Sequence, residues 1–216
     1  MRRSLRGPSL RWLWAPVIIA LVAMPALLLR PRRVHGVRPP VPLAIDPRFQ
    51  YNLAMSEWLP LDRPVPEARN DACLAAAALP AAAPLPQTSI IIVEYNEADV
   101  TLARTVTSVL NRSPRGLLAD IVIVDDHSDW EVGPRVRSLT PLMKLVRNDR
   151  REGLIRSRLV GFDASGAPTV TFLDAHCEVA PGWLPPLLGR VAADPTIVVA
   201  PVIDVIDRVD FRCVRN

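Results

Sequence analysis

The sequence predicts an α/β fold with a mostly parallel sheet, and two observations carry that expectation. Beyond residue 88, short β-branched apolar runs alternate with longer stretches of helical periodicity. Each apolar run also stops abruptly at a cluster of polar side chains. That is the pattern of parallel strands whose carboxyl ends line a ligand crevice.

Residues 89–93, SIIIV, suit a strand buried on both faces. The run ends at Glu94-Tyr95-Asn96-Glu97. Val100, Leu102, Val106, Val109 and Leu110 then mark one face of a helix, which Ser113-Pro114 and Gly116 stop. IVIV at 121–124 is the second strand, closed by Asp125-Asp126-His127-Ser128-Asp129. A weaker element follows near 132–139, and 143–146 is the third strand. NDRREG at 148–153 is a polar loop, and 154–163 is helical. The fourth strand, 169–173, delivers Asp174. A helix over 183–193, despite Pro185 and Pro186, and a last strand at 197–202 complete the expected order.

Asp174 and His176 are two apart, so on an extended backbone they point the same way. A carboxylate and an imidazole there can hold a divalent cation. The same spacing also suits a capped strand end beside a solvated histidine. No GxGxxG follows the first strand and no GxxxxGK[ST] occurs. A nucleotide diphosphate would then need another source of positive charge, which a metal at Asp174 and His176 supplies.

The first ninety residues have a different character. Residues 12–29 are eighteen without a charge, flanked by Arg2, Arg3, Arg6 and Arg11 on one side and Arg30, Arg32, Arg33 and Arg38 on the other. They read as a transmembrane signal anchor after a short cytoplasmic tail, 1–11, with a cleaved signal peptide as the alternative. Residues 30–87 read as a proline-rich stem, with a short helix over 72–83 capped by Asn70 or Asp71. The net charge of +4 belongs largely to the arginines of the tail. Aromatic residues are only 5%, so no basic groove interleaved with stacking rings exists and nucleic-acid binding is not expected. Cysteines at 73, 177 and 213 match no compact zinc pattern; in an oxidising compartment Cys73 is a disulfide candidate.

The segments SIIIVEYNEADVTLARTVTSVLNRSP, DIVIVDDHSD, LVRNDRREGLIRSRLVGFDASGAPTVTFLDAHCEVAPGWLPPLL and VVAPVIDVI closely resemble the catalytic domain of the polypeptide N-acetylgalactosaminyltransferases. The resemblance covers about 88–210 and implies a GT-A-like nucleotide-diphospho-sugar transferase sandwich. It implies a single-pass type II Golgi membrane protein. Such a protein moves GalNAc from UDP-GalNAc to Ser or Thr of a polypeptide, with retention and with Mn²⁺. By position, Asp126 matches the family's uracil contact, Arg151 a sugar-nucleotide contact, and Asp174 and His176 the DxH metal ligands. Tyr95 stands where a uridine-contacting His is usual, and Glu94 where Phe is usual, which sets a negative charge near the diphosphate unless it turns away or pairs. Asn216 falls before the family's second catalytic half, so a third metal ligand, the acceptor groove and the lectin domain are expected to be missing, and the GT-A domain to be incomplete at its C-terminus. No catalytic base is assigned. The alternative reading is an inactive, membrane-anchored homologue that binds nucleotide or partners.

Overall fold

The structure is a computed structural model, and it describes residues 17–19, 41–78 and 84–215. One sheet organises it, in the order β1 (Val17–Ile19), β5 (Thr169–Asp174), β2 (Thr88–Glu94), β3 (Leu118–Asp125), β4 (Met143–Arg147), and every pairing is parallel. The α/β class is as expected. Strands β2 to β5 lie within a few residues of the apolar runs that predict them.

Alternation along the strands builds two apolar layers. Ile90, Ile92, Ile121 and Ile123 face one side, against α3 (Asp99–Arg112) and α6 (Leu184–Ala193), where Leu102, Val106, Leu184 and Leu188 complete the larger core. Ile91, Val122, Val124, Val170 and Phe172 face the other, against α5 (Leu154–Ala164). Each fully buried Ile contributes about 1.5–3 kcal/mol of transfer free energy, so these runs fix which face each strand end presents.

Two expectations need correction. Residues 197–202 form no extended strand: Val198 and Val202 are exposed, and only Val199 makes an isolated bridge. Pro201 has no N–H to give a ladder. The chain instead closes in a short antiparallel hairpin, β6 (Val205–Ile206) with β7 (Cys213–Val214). The weak element at 132–139 is a single turn, α4 (Pro134–Arg137), with proline at its start.

Part of the expected stem is docked on the domain. Asn52 caps α1 (Leu53–Trp58) by accepting from the Met55 N–H at 3.0 Å, and its amide donates to the carbonyls of Pro42 and Val209. Met55 and Ser56 are buried. Further on, α2 (Asp71–Ala78) begins where Asn70 accepts from the Cys73 N–H at 2.8 Å. Of the expected anchor only Val17–Ile19 are described, as the strand beside β5; the rest, and the cytoplasmic tail, lie outside the described residues. Among the described residues no helix is long and apolar enough to cross a membrane.

Candidate functional site

The sheet register sets the strand ends side by side. Asp174 pairs with Val93, Glu94 with Asp125, and Asp125 with Arg147. With strands ~4.8 Å apart, the ends of β5 and β3 are separated by ~10 Å. Two clusters of side chains occupy this edge.

The first gathers on Asp126, just past β3. Its carboxylate is buried and accepts from the Asn148 amide at 2.8 Å, the Glu152 N–H at 2.8 Å and the Gly153 N–H at 3.0 Å. Burial alone would raise its pKa, but these donors outweigh it and hold the carboxyl below its usual range. Gly153, at φ +83°, lets the loop turn onto this anchor. Arg151 lies 3.3 Å from Asp126 through Nε, with its guanidinium stacked 3.2 Å above the Tyr95 ring. The structure therefore brings Asp126, Arg151 and Tyr95 together. Tyr95 and Arg151 remain about half exposed, as an entry face requires.

The second cluster is Asp174 and His176. Asp174 ends β5, and its Oδ1 faces the Arg158 guanidinium at 3.4 Å. His176 is more exposed, and its Nδ1 lies 2.9 Å from Glu97 Oε2. That bond, against an opposing desolvation, raises the histidine pKa, with Asp174 adding to the effect. Glu97 follows Asn96, which sits at φ +52° and ties the ends of β2 and β3 together through Ser128 and Asp129. Burial would raise the Glu97 pKa, but its bonds from His176 and Tyr51 prevail and keep it ionised.

Glu94 does not face the site. It is 3% exposed, and it accepts from the Ser128 hydroxyl at 3.1 Å and the Glu97 N–H at 3.3 Å. Cys177, next to His176, is partly buried, and desolvation pushes its thiol up to about 12, which disfavours the nucleophilic thiolate at neutral pH. All three cysteines are free thiols.

Sequence reasoning missed the partners that hold the two clusters. Glu97 orients His176, Arg158 faces Asp174, and Asn148 with Ser157 supports Asp126. Glu97 lay in view as the acidic residue closing the polar run after β2. Arg158 could be read only from its neighbours: Ser157 and Gly161 mark the buried face of α5, and Arg158 borders it.

The comparisons agree with this geometry. The Glycosyl transferase family 2 profile matches residues 89–216. Human polypeptide N-acetylgalactosaminyltransferase 16 is 47% identical over 168 residues, 77% of this chain and 30% of its own length. Mouse polypeptide N-acetylgalactosaminyltransferase 10 is 46% identical over 166 residues, 75% of this chain and 27% of its own. The chain thus spans under a third of the curated relatives it matches. The crystal structure of GalNAc-T7 with UDP, GalNAc and Mn²⁺ superposes with a TM-score of 0.71 at 36% identity, over 78% of this chain and 32% of that one. That match makes the fold GT-A-like. On its strand order, its strand-end clusters and these likenesses, the chain belongs to glycosyl transferase family 2 and resembles the polypeptide N-acetylgalactosaminyltransferases within it.

Proposed function

We propose that the chain carries the nucleotide-sugar side of a polypeptide N-acetylgalactosaminyltransferase, which transfers GalNAc from UDP-GalNAc to Ser or Thr with retention and with Mn²⁺. The observation that carries this reading is the pair at the end of β5. His176 commits Nδ1 to the mostly buried Glu97 carboxylate, which leaves Nε2 as the ring's ligating nitrogen, and Asp174 adds an oxygen from the end of the same strand.

The donor set fits a divalent ion that accepts both O and N. Among the described residues no group of three or more His, Cys, Asp or Glu is arranged to hold a metal, so diphosphate oxygens would share the coordination. A cation bound there supplies positive charge to the UDP leaving group. Asp126 accepts from the imide N–H of uracil once Arg151 yields its place on the carboxylate, and Tyr95 gives a ring face to the base. Arg151, displaced, remains a forked donor for phosphate or sugar oxygens.

The same reading makes the protein a single-pass type II Golgi protein: the charge-free stretch 12–29 is long enough for a span, while orientation and compartment are taken from the family resemblance, since four arginines stand on each side of it. Membrane insertion of that stretch takes Val17–Ile19 off the edge of β5.

The test uses the full chain, expected to need detergent and to resist an alkaline wash during extraction from membranes. UDP binding is titrated with and without Mn²⁺, and transfer to a Ser/Thr peptide is followed separately. Metal-dependent binding should fall at least tenfold in Asp174→Ala and in His176→Ala. Metal-independent UDP binding that both variants retain would sink the reading.

A further inference from the structure

Tyr51 belongs to the segment that precedes β2, forty-six positions from Glu97, yet its hydroxyl reaches the carboxylate that holds His176. Tyr51 Oη donates to Glu97 Oε1 at 2.7 Å, and Glu97 Oε2 meets His176 Nδ1 at 2.9 Å. Behind Tyr51 lie Thr101 Oγ1 at 2.7 Å, then Ser56 Oγ at 3.0 Å, then the Arg104 guanidinium, whose Nη1 donates to Ser56 at 3.0 Å. Four side chains from α1, α3 and the 41–52 stretch thus run through Glu97 toward the end of β5.

The two ends of that line fix its direction. Arg104 can only donate, and an ionised Glu97 can only accept. Each hydroxyl between them has one proton. Ser56 therefore donates to Thr101, Thr101 to Tyr51 and Tyr51 to Glu97. Bonds aligned head to tail polarise one another, and the interior here is dry: Arg104, Ser56 and Thr101 are buried. Burial, together with the charge of Glu97, raises the Tyr51 pKa, so the phenol stays a donor.

We infer that Tyr51 is a positioning residue for the metal site: it closes a directed hydrogen-bond chain, from Arg104 through Ser56 and Thr101, that pins Glu97 and thereby holds His176 in the tautomer with its proton on Nδ1 and Nε2 bare. The inference deepens the proposed function and rests on its reading of Asp174 and His176 as ligands. It assigns the segment outside the sheet a chemical role, since both Tyr51 and Ser56 come from it. Without the phenol, Oε1 of Glu97 keeps only the adjacent Ala98 N–H, at 3.0 Å, and the carboxylate is free to swing.

The test is imidazole ¹⁵N NMR on the full chain, at a pH where histidines are neutral. Only His35, His127 and His176 contribute signals, so His176→Gln assigns the one of interest. Wild type should show the Nδ1–H form of His176. Tyr51→Phe keeps the ring and its packing on Phe49 and Phe211, and should let the Nε2–H form appear; Glu97→Ala should make that form dominant. A purely structural Tyr51 would lower thermal stability without moving the tautomer. If Tyr51→Phe fails to fold, Thr101→Val cuts the same chain one bond earlier and should shift the tautomer in the same direction. Free Mn²⁺ counted by EPR in the presence of UDP gives the second reading: about 3- to 10-fold weaker binding for Tyr51→Phe and about 10- to 100-fold for Glu97→Ala. An Nε2–H form in wild type, or a tautomer indifferent to Tyr51 and Glu97, overturns the inference. Absence of Mn²⁺ binding by wild type counts against the proposed function, while the tautomer comparison still decides this one.

Discussion

Glu94 is a carboxylate placed where the protein resists its charge. Burial and the nearby Asp125 charge push its pKa from 4.5 up to about 7. Between those values the folded chain holds a proton that the unfolded chain has released, so stability falls as pH rises through that window and levels off above it. Glu94→Gln copies the protonated state. It should equal wild type at pH 4.5 and exceed it by about 1–3 kcal/mol at pH 8, as read by urea denaturation at both values. An equal gap at the two pH values would refute this account. The fate of Glu94 was not legible in the sequence. Position alone put its charge beside the diphosphate, whereas the Ser128 hydroxyl and the Glu97 N–H draw it under the loop.

Among the elements, α5 decides how the NDRREG loop sits. Gly161 lies on its buried face, where an added Cβ would come within 2.4 Å of Ile91 Cγ2. Gly161→Ala must push the helix from the sheet and should cost about 1–3 kcal/mol, with weaker UDP binding because Gly153 and Arg151 precede the first turn. Gly116→Ala, which meets nothing within 4 Å, is the control and should leave the denaturation midpoint almost unchanged. Elements of this kind were the most legible. Strands β2, β3, β4 and β5 follow from β-branched runs, because burial on both faces leaves a continuous apolar signal. Residues 197–202 gave the same signal and misled, since a run of apolar residues does not say whether a neighbouring strand exists to pair with it. At the site, Asp126, Arg151, Asp174 and His176 were legible as strand-end polar residues, and Tyr95 by its place in the polar run. Their supports were not: Tyr51 and Glu97 meet across forty-six positions, and no local period records such a contact.

For the whole molecule, the 41–63 segment packs on the sheet domain instead of standing apart from it. Arg63 pairs with Glu178 at 2.8 Å, and Arg104 places its guanidinium on the carbonyls of Ser56, Leu59 and Pro60. Both interactions cross from the 41–63 segment to the sheet domain, and Phe211 rests near both guanidiniums. A chain begun at residue 88 strips Arg104 of these acceptors and Glu178 of its nearer partner, leaving it only the longer contact to Arg104 at 3.9 Å, and breaking a buried pair costs about 3–5 kcal/mol. Limited proteolysis should therefore cut residues 88–216 much faster than residues 41–216. Equal lifetimes would show that the docked segment adds nothing to stability.

The strand order also dates the assembly of the site. Thr88 pairs with Leu118 on one side and with Thr169 on the other, so β2 can join β3 and then β4 by short crossovers, while β5 arrives only after a far longer stretch of chain has closed. The longer closure carries about 1 kcal/mol more entropy cost, and long-range pairings of this kind form slowly. Asp126 and its loop anchor thus belong to the early, local part of folding, and Asp174 and His176 to the late one. A chain caught midway would own the Asp126 corner without the Asp174–His176 pair, and it would acquire that pair in the single step that seats β5 against β2.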